Sequence, residues 1–285
     1  MSPHAVALRH DRYRAETAPQ AGAALLSFSV DGRSALRPAA SPEDAARAPR
    51  AAACFACVPW FGRIFGGLVA GGRRIRLAPT LPACDPVNAL HGEGWTSPWA
   101  IAARAPDRLL CRLARDGAAP GRFPFPYEAT QAIALDAEGL SVILALRNTG
   151  GAPMPAGLGL HPYFPRRRET RLSFAARRLW TPHEGGGGAE TPIPRDLDFA
   201  RPAPLPESDV DHSFAGFSGE AVVETDGLVL RLRSDAPILH LYAPAGADFF
   251  CLEPVSHRPG DFGRDMLEPG AQMRLSLRLS PAPAR

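Results

Sequence analysis

The sequence predicts an all-β protein of many antiparallel strands, arranged as a sandwich or a barrel. Three observations carry this. Apolar residues recur at period two in short runs, the signature of half-buried strands. The 285 residues include 31 Pro and 27 Gly, too much punctuation for a long helical bundle. No rhythm of strand, helix, strand appears, which argues against a parallel doubly wound sheet.

Strands are expected near 24–30, 74–77, 109–113, 140–146, 158–164, 228–232, 238–242, 249–252 and 273–279. The last shows the pattern well: Met273, Leu275, Leu277 and Leu279 alternate with Arg274, Ser276 and Arg278. Helical signal is scarce. Ser41 reads as an N-cap before Pro42, with Glu43 and Asp44 in the first turn, so one short helix is expected over 42–46. The glycine run Gly185–Gly188 lies in a Pro-rich stretch over 181–206 and runs on into Pro192 and Pro194 rather than opening a helix. It reads as a surface excursion, not a phosphate cradle. No internal repeat or linker divides the chain, so residues 1–285 are read as one domain.

Composition excludes several functions. The formal net charge is only +3, so no strong field draws in nucleic acid or an anionic membrane. Every basic residue is Arg and there is no Lys, which rules out Schiff-base, pyridoxal-anchoring and P-loop chemistry. No apolar run approaches a membrane span or the core of a signal peptide. The five cysteines, Cys54, Cys57, Cys84, Cys111 and Cys251, are odd in number, and with no secretion signal they are expected as reduced thiols in a cytoplasm. Cys54 and Cys57 form a CxxC, but no second pair stands at metal-ligand spacing, so no metal is expected.

Five segments could carry chemistry. In Gly157–Phe164, Gly157, Gly159, His161 and Tyr163 would share one strand face; the glycines suggest that something approaches closely, and the imidazole can exchange a proton near neutral pH. In Phe249–Pro254, Phe249, Cys251 and Glu253 would share a face, with Glu253 held at the end of an apolar run, where burial would raise its pKa and its basicity. Asn88, His91, Glu93 and Trp95 fall in a Gly-containing loop suited to sugar recognition, through hydrogen-bonding groups and an indole face. Arg63 follows Trp60-Phe61-Gly62, and Asp211 lies in the short acidic run Asp209–His212, expected to face solvent or cap a turn.

Taken together, these segments resemble the aldose 1-epimerases, or mutarotases. The resemblance rests on Phe61-Gly62-Arg63-Ile64, Asn88-Ala89-Leu90-His91-Gly92, Gly159-Leu160-His161-Pro162-Tyr163-Phe164, Val210-Asp211-His212-Ser213-Phe214 and Cys251-Leu252-Glu253-Pro254, and spans roughly 20–280. The His-Pro-Tyr-Phe and Cys-x-Glu-Pro segments are the specific ones. It implies a large antiparallel β-sandwich with one or two short helices, a monosaccharide as partner, no cofactor and a monomer or homodimer. Glu253 would be the catalytic base and His161 the acid; His91 would hold and polarise the sugar, with Arg63, Asp211, Asn88 and Trp95 in the binding set. The chain departs from the family where Phe65 and Gly66 follow Arg63 and where Glu93-Gly94-Trp95 follows His91-Gly92; this Trp and the Pro165-Arg166 after Phe164 are similar to a shorter bacterial subgroup. Arg166, Arg167, Arg168 and Arg171, just after Phe164, raise the alternative of a hexose-6-phosphate epimerase. The altered surroundings of Arg63 raise that of a non-catalytic sugar-binding protein.

Overall fold

The computed structural model describes residues 4–183 and 187–282. Its described residues form an eleven-stranded and a nine-stranded antiparallel sheet, with three two-stranded ribbons in the connections. The alternation read from the sequence explains the layering. In Tyr127–Asp136, every second residue from Tyr127 to Leu135 is buried. On the Gly159–Pro165 strand, Leu160 and Phe164 join the core between the sheets. There they meet Leu144, Leu146, Leu275 and Leu277 of the opposing sheet. Each such leucine stabilises the fold by about 1.5–3 kcal/mol through burial, so the stacking of sheet on sheet is the main cohesive element.

The large sheet also carries a second apolar layer on its other face. Phe55, Tyr163, Cys251 and Val255 from the strands are covered there by Ala45, Phe61, Leu90 and Trp95 from the helix, a two-stranded ribbon and loops. This layer builds the floor of the site described below.

The expected helix forms over Pro42–Arg47, with the Ser41 hydroxyl accepting from the Asp44 amide. Three differences have physical reasons. The acidic run at 209–212 was expected in solvent or a turn; Asp211 is exposed, but it sits in a sheet strand, Val210–Ala215, whose apolar alternation is interrupted by His212 between Val210 and Phe214. The strand expected at 249–252 continues through Pro254 to Val255, which sets Glu253 inside it rather than at its end. Of the glycine run, Gly185 and Gly186 lie outside the described residues, while Gly188 opens a strand, Gly188–Thr191, at the edge of the large sheet.

Candidate active site

Five neighbouring strands bring the chemistry into one row. Cys54–Cys57 pairs with Gly159–Pro165, setting Phe55 opposite His161. Gly159–Pro165 pairs with Phe249–Val255; Gly159 faces Val255 and Tyr163 faces Cys251, so His161 falls opposite Glu253. Phe249–Val255 pairs with Ile238–Ala243, setting Glu253 opposite His240. His240 in turn faces Ser213. Because side chains alternate across a sheet, these residues all stand on the face turned away from the inter-sheet core.

At the centre of the row, His161 Nε2 lies 3.2 Å from Glu253 Oε1. Glu253 is only 1% exposed. Although the two groups touch, they are not aligned as a hydrogen bond; both Glu253 oxygens and His161 Nδ1 are buried without a hydrogen-bond partner. Buried polar atoms are nearly always paired with protein or water, so these three, which the protein leaves unpaired, are open to partners from the cavity. The His161 ring is fixed between Phe55 and Tyr163, at centroid distances of 4.4 and 4.8 Å. Burial pushes the Glu253 carboxyl well above the usual carboxylate range, and the negative charge of Asp211 adds to this. Burial also holds His161 well below the usual imidazole range, reinforced by His91 and His240.

The pair lies on the wall of a cavity of about 390 Å³, also lined by Arg50, Arg63, His91, Asp211, His240 and Tyr242. That volume is in the range of small-molecule sites. His91 has a left-handed backbone (φ 55°), and its amide donates to the Gly62 carbonyl at 2.9 Å. The Gly62 amide donates back to His91 Nδ1 at 3.2 Å. A backbone N–H can only donate, so Nδ1 is unprotonated and Nε2 carries the hydrogen. Burial, followed by the charges of His240 and Arg63, brings the His91 pKa down to about 3. His91 is therefore a neutral N–H donor.

Asp211 is 61% exposed and lies 3.0 Å from His240 Nε2; His240 Nδ1 lies 2.8 Å from the Ser213 hydroxyl. Partial desolvation works against ionisation of Asp211, but the His240 hydrogen bond and neighbouring positive charge outweigh it and lower its pKa. Arg63 donates from Nε to Asp85 at 2.8 Å. The other Asp85 oxygen accepts from the amides of Val87 and Asn88, at 2.9 and 2.8 Å. Burial would raise Asp85, yet these amides and Arg63 hold it at about 2.

A family model for aldose 1-epimerase matches residues 4–280. The chain belongs to the aldose 1-epimerase family. It is 34% identical over 228 residues to the uncharacterized protein YphB of Escherichia coli (strain K12), covering 75% of this chain and 76% of that one. It superposes on the crystal structure of a candidate aldose 1-epimerase of E. coli K12 with a TM-score of 0.84 and 31% identity, over 98% of this chain and 99% of the other. The galactose 1-epimerase of Lactobacillus acidophilus NCFM shares the fold, with a TM-score of 0.80 at 18% identity over 98% and 95% of the two chains.

Within this epimerase fold, the structure brings His161, Glu253, His91, Arg63 and Asp211 to one cavity. Asn88 and Trp95 stand elsewhere. Asn88 turns its amide to Asp85, 3.3–3.4 Å away, and supports the partner of Arg63 rather than facing the cavity. Trp95 is fully buried. Its Nε1–H donates to the Leu90 and Gly92 carbonyls, and its ring stacks on Phe55 at 4.9 Å, so it underpins the floor rather than offering a sugar platform. The two glycines before His161 do mark a close approach, but of protein. A methyl at Gly159 would lie 2.9 Å from Phe61, and one at Gly157 would lie 2.3 Å from His257. Asp209 accepts from the Ala245 amide and does not line the cavity. Sequence reasoning missed Asp85, His240, Arg50 and Tyr242. His240 and Tyr242 alternate with Leu239 and Leu241 in a predicted strand, which was the available signal.

Proposed function

We propose that the protein is a mutarotase that interconverts the α and β anomers of a free aldose, with Glu253 as base and His161 as acid. The observation that carries this is the Glu253–His161 contact: two buried groups of opposite proton preference, 3.2 Å apart on a cavity wall, with unpaired polar atoms. Anomerisation needs such a pair. The base takes the proton of the C1 hydroxyl while the acid gives one to the ring oxygen; the C1–ring oxygen bond breaks, C1–C2 rotates, and the ring closes from the other face. A carboxyl raised by burial is a stronger base once ionised, and an imidazole lowered by burial is a stronger acid once protonated. The pair needs one shared proton, residing on His161 when the ring opens. Each partner is expected to contribute about 10²–10⁴-fold, and orientation by the fixed donors around the cavity adds to it.

His91 supplies a neutral N–H donor, and Asp211 and Arg63 supply an acceptor and a donor for sugar hydroxyls. The phosphate alternative has less support, since none of Arg166, Arg167, Arg168 and Arg171 lines the cavity. Arg166 donates to the carbonyls of Pro244 and Pro206, and Arg167 pairs with Asp226. Polarimetry of freshly dissolved α-glucose, α-galactose and a wider aldose panel tests the proposal. Acceleration over buffer is expected for at least one neutral aldose; no acceleration for any would overturn it, and a strict preference for glucose 6-phosphate would restore the alternative.

A further inference from the structure

We propose that His161, Cys251 and Glu253 also form a site for a soft divalent cation, zinc or cadmium, and that an ion bound there blocks the acid–base pair. Cys251 and Glu253 are two residues apart on one strand, so they share its site face, and His161 stands opposite on the neighbouring strand. One ligating atom from each of the three lies within 4.8 Å of the other two. Three atoms so close leave some point within about 2.8 Å of each, whereas zinc bonds to imidazole, carboxylate and thiolate run ~2.0–2.3 Å. A shift of roughly half an ångström per side chain closes that gap.

All three residues are buried, and both Glu253 oxygens lack a hydrogen-bond partner from the protein. The donor chemistry selects the ion. One sulfur, one nitrogen and carboxylate oxygen suit zinc and cadmium, whereas magnesium and calcium require six or more oxygens. Three protein ligands leave a tetrahedral ion one further position, as in sites that hold an exchangeable water. Binding replaces protons by metal: the Cys251 thiol, and Glu253 where protonated, release their protons to solvent as sulfur and oxygen bond the ion, and no electron is transferred. The inhibition rests on the catalytic roles proposed above; the binding does not.

The test is a titration of the full-length protein with Cd²⁺ alone, reading thiolate-to-cadmium charge-transfer absorbance alongside polarimetry. One ion per chain, with loss of mutarotation restored by chelation, is expected; Mg²⁺ gives neither effect. Cys251→Ala should abolish the absorbance band, and the mutarotation it retains should no longer fall on addition of Cd²⁺, whereas Cys84→Ser, at a partly buried thiol outside the triad, should keep both the band and the inhibition. Glu253→Gln and His161→Asn should each weaken Cd²⁺ binding by at least ~10-fold, and they carry the test if Cys251→Ala does not fold. A band that persists in Cys251→Ala, or equal affinity in Glu253→Gln, would overturn the proposal. Cadmium binding by a protein without mutarotase activity would keep the metal site and remove the catalytic reading; activity without a band would do the reverse.

Discussion

The strands that build the inter-sheet core also build the cavity, and their two faces differ in kind. Inward, Leu160, Phe164, Leu239, Leu241, Phe250 and Leu252 pack into a continuous apolar layer. Outward, one residue along each strand, stand His161, His240 and Glu253, with orphaned atoms on His161 and Glu253. One face contributes stability, and the other spends some of it on groups that would be better solvated in an unfolded chain. Substitutions on the two faces should therefore separate activity from stability.

The largest effect is expected on the outward face. His161→Asn should slow mutarotation by about 10²–10⁴-fold with little loss of folded protein, measured by polarimetry beside circular dichroism. The opposite split is expected one residue away. Leu160→Ala should cost about 2–5 kcal/mol in denaturant unfolding, while the fraction that remains folded keeps its turnover. If Leu160→Ala proved as inactive per folded molecule as His161→Asn, the division between faces would fail.

A smaller effect sharpens the account at the cavity mouth. Asp85→Asn removes the charged acceptor that holds Arg63, an interaction in the class of about 1.5–3 kcal/mol. We expect KM to rise roughly ten-fold, with a smaller change in kcat; a fall confined to kcat would mean that Arg63 acts on the reacting atoms rather than on binding.

The smallest effect is a pH dependence of stability. The folded-state pKa of Glu253 is raised above its ordinary value of 4.5. Its contribution is fully present below that value and is lost as pH rises through the raised folded value, because the folded chain resists ionisation there. Glu253→Gln cannot ionise. Its melting temperature relative to wild type should therefore increase from acid to alkaline pH; a difference that is flat with pH would show that burial does not raise the Glu253 pKa.

The fold was largely legible because period-two alternation reports directly which residues face a core. Met273–Leu279 and Leu140–Leu146 are read this way and pair side by side in the nine-stranded sheet. Val210–Ala215 was not legible, since His212 stands between Val210 and Phe214 on their own face and interrupts the apolar half of the alternation. Within the site, residues on strands were placed by their own alternation. Residues from loops carry no such alternation: His91 reaches the cavity as its motif implied, but Trp95 turns inward and Asn88 turns to Asp85 because of packing between segments distant in sequence, which no local pattern encodes. Asp85 was invisible for the same reason, since its role exists only through Arg63, twenty-two positions away.

The central claim is that Glu253 and His161 work as one base and one acid on a bound aldose. The most direct measurement is polarimetric mutarotation by wild type and Glu253→Gln at saturating concentration of the best neutral aldose, both confirmed folded. The account predicts that the amide variant still binds the sugar but loses the catalysed rate by about 10²-fold or more; a variant that turns over as fast as wild type would contradict it.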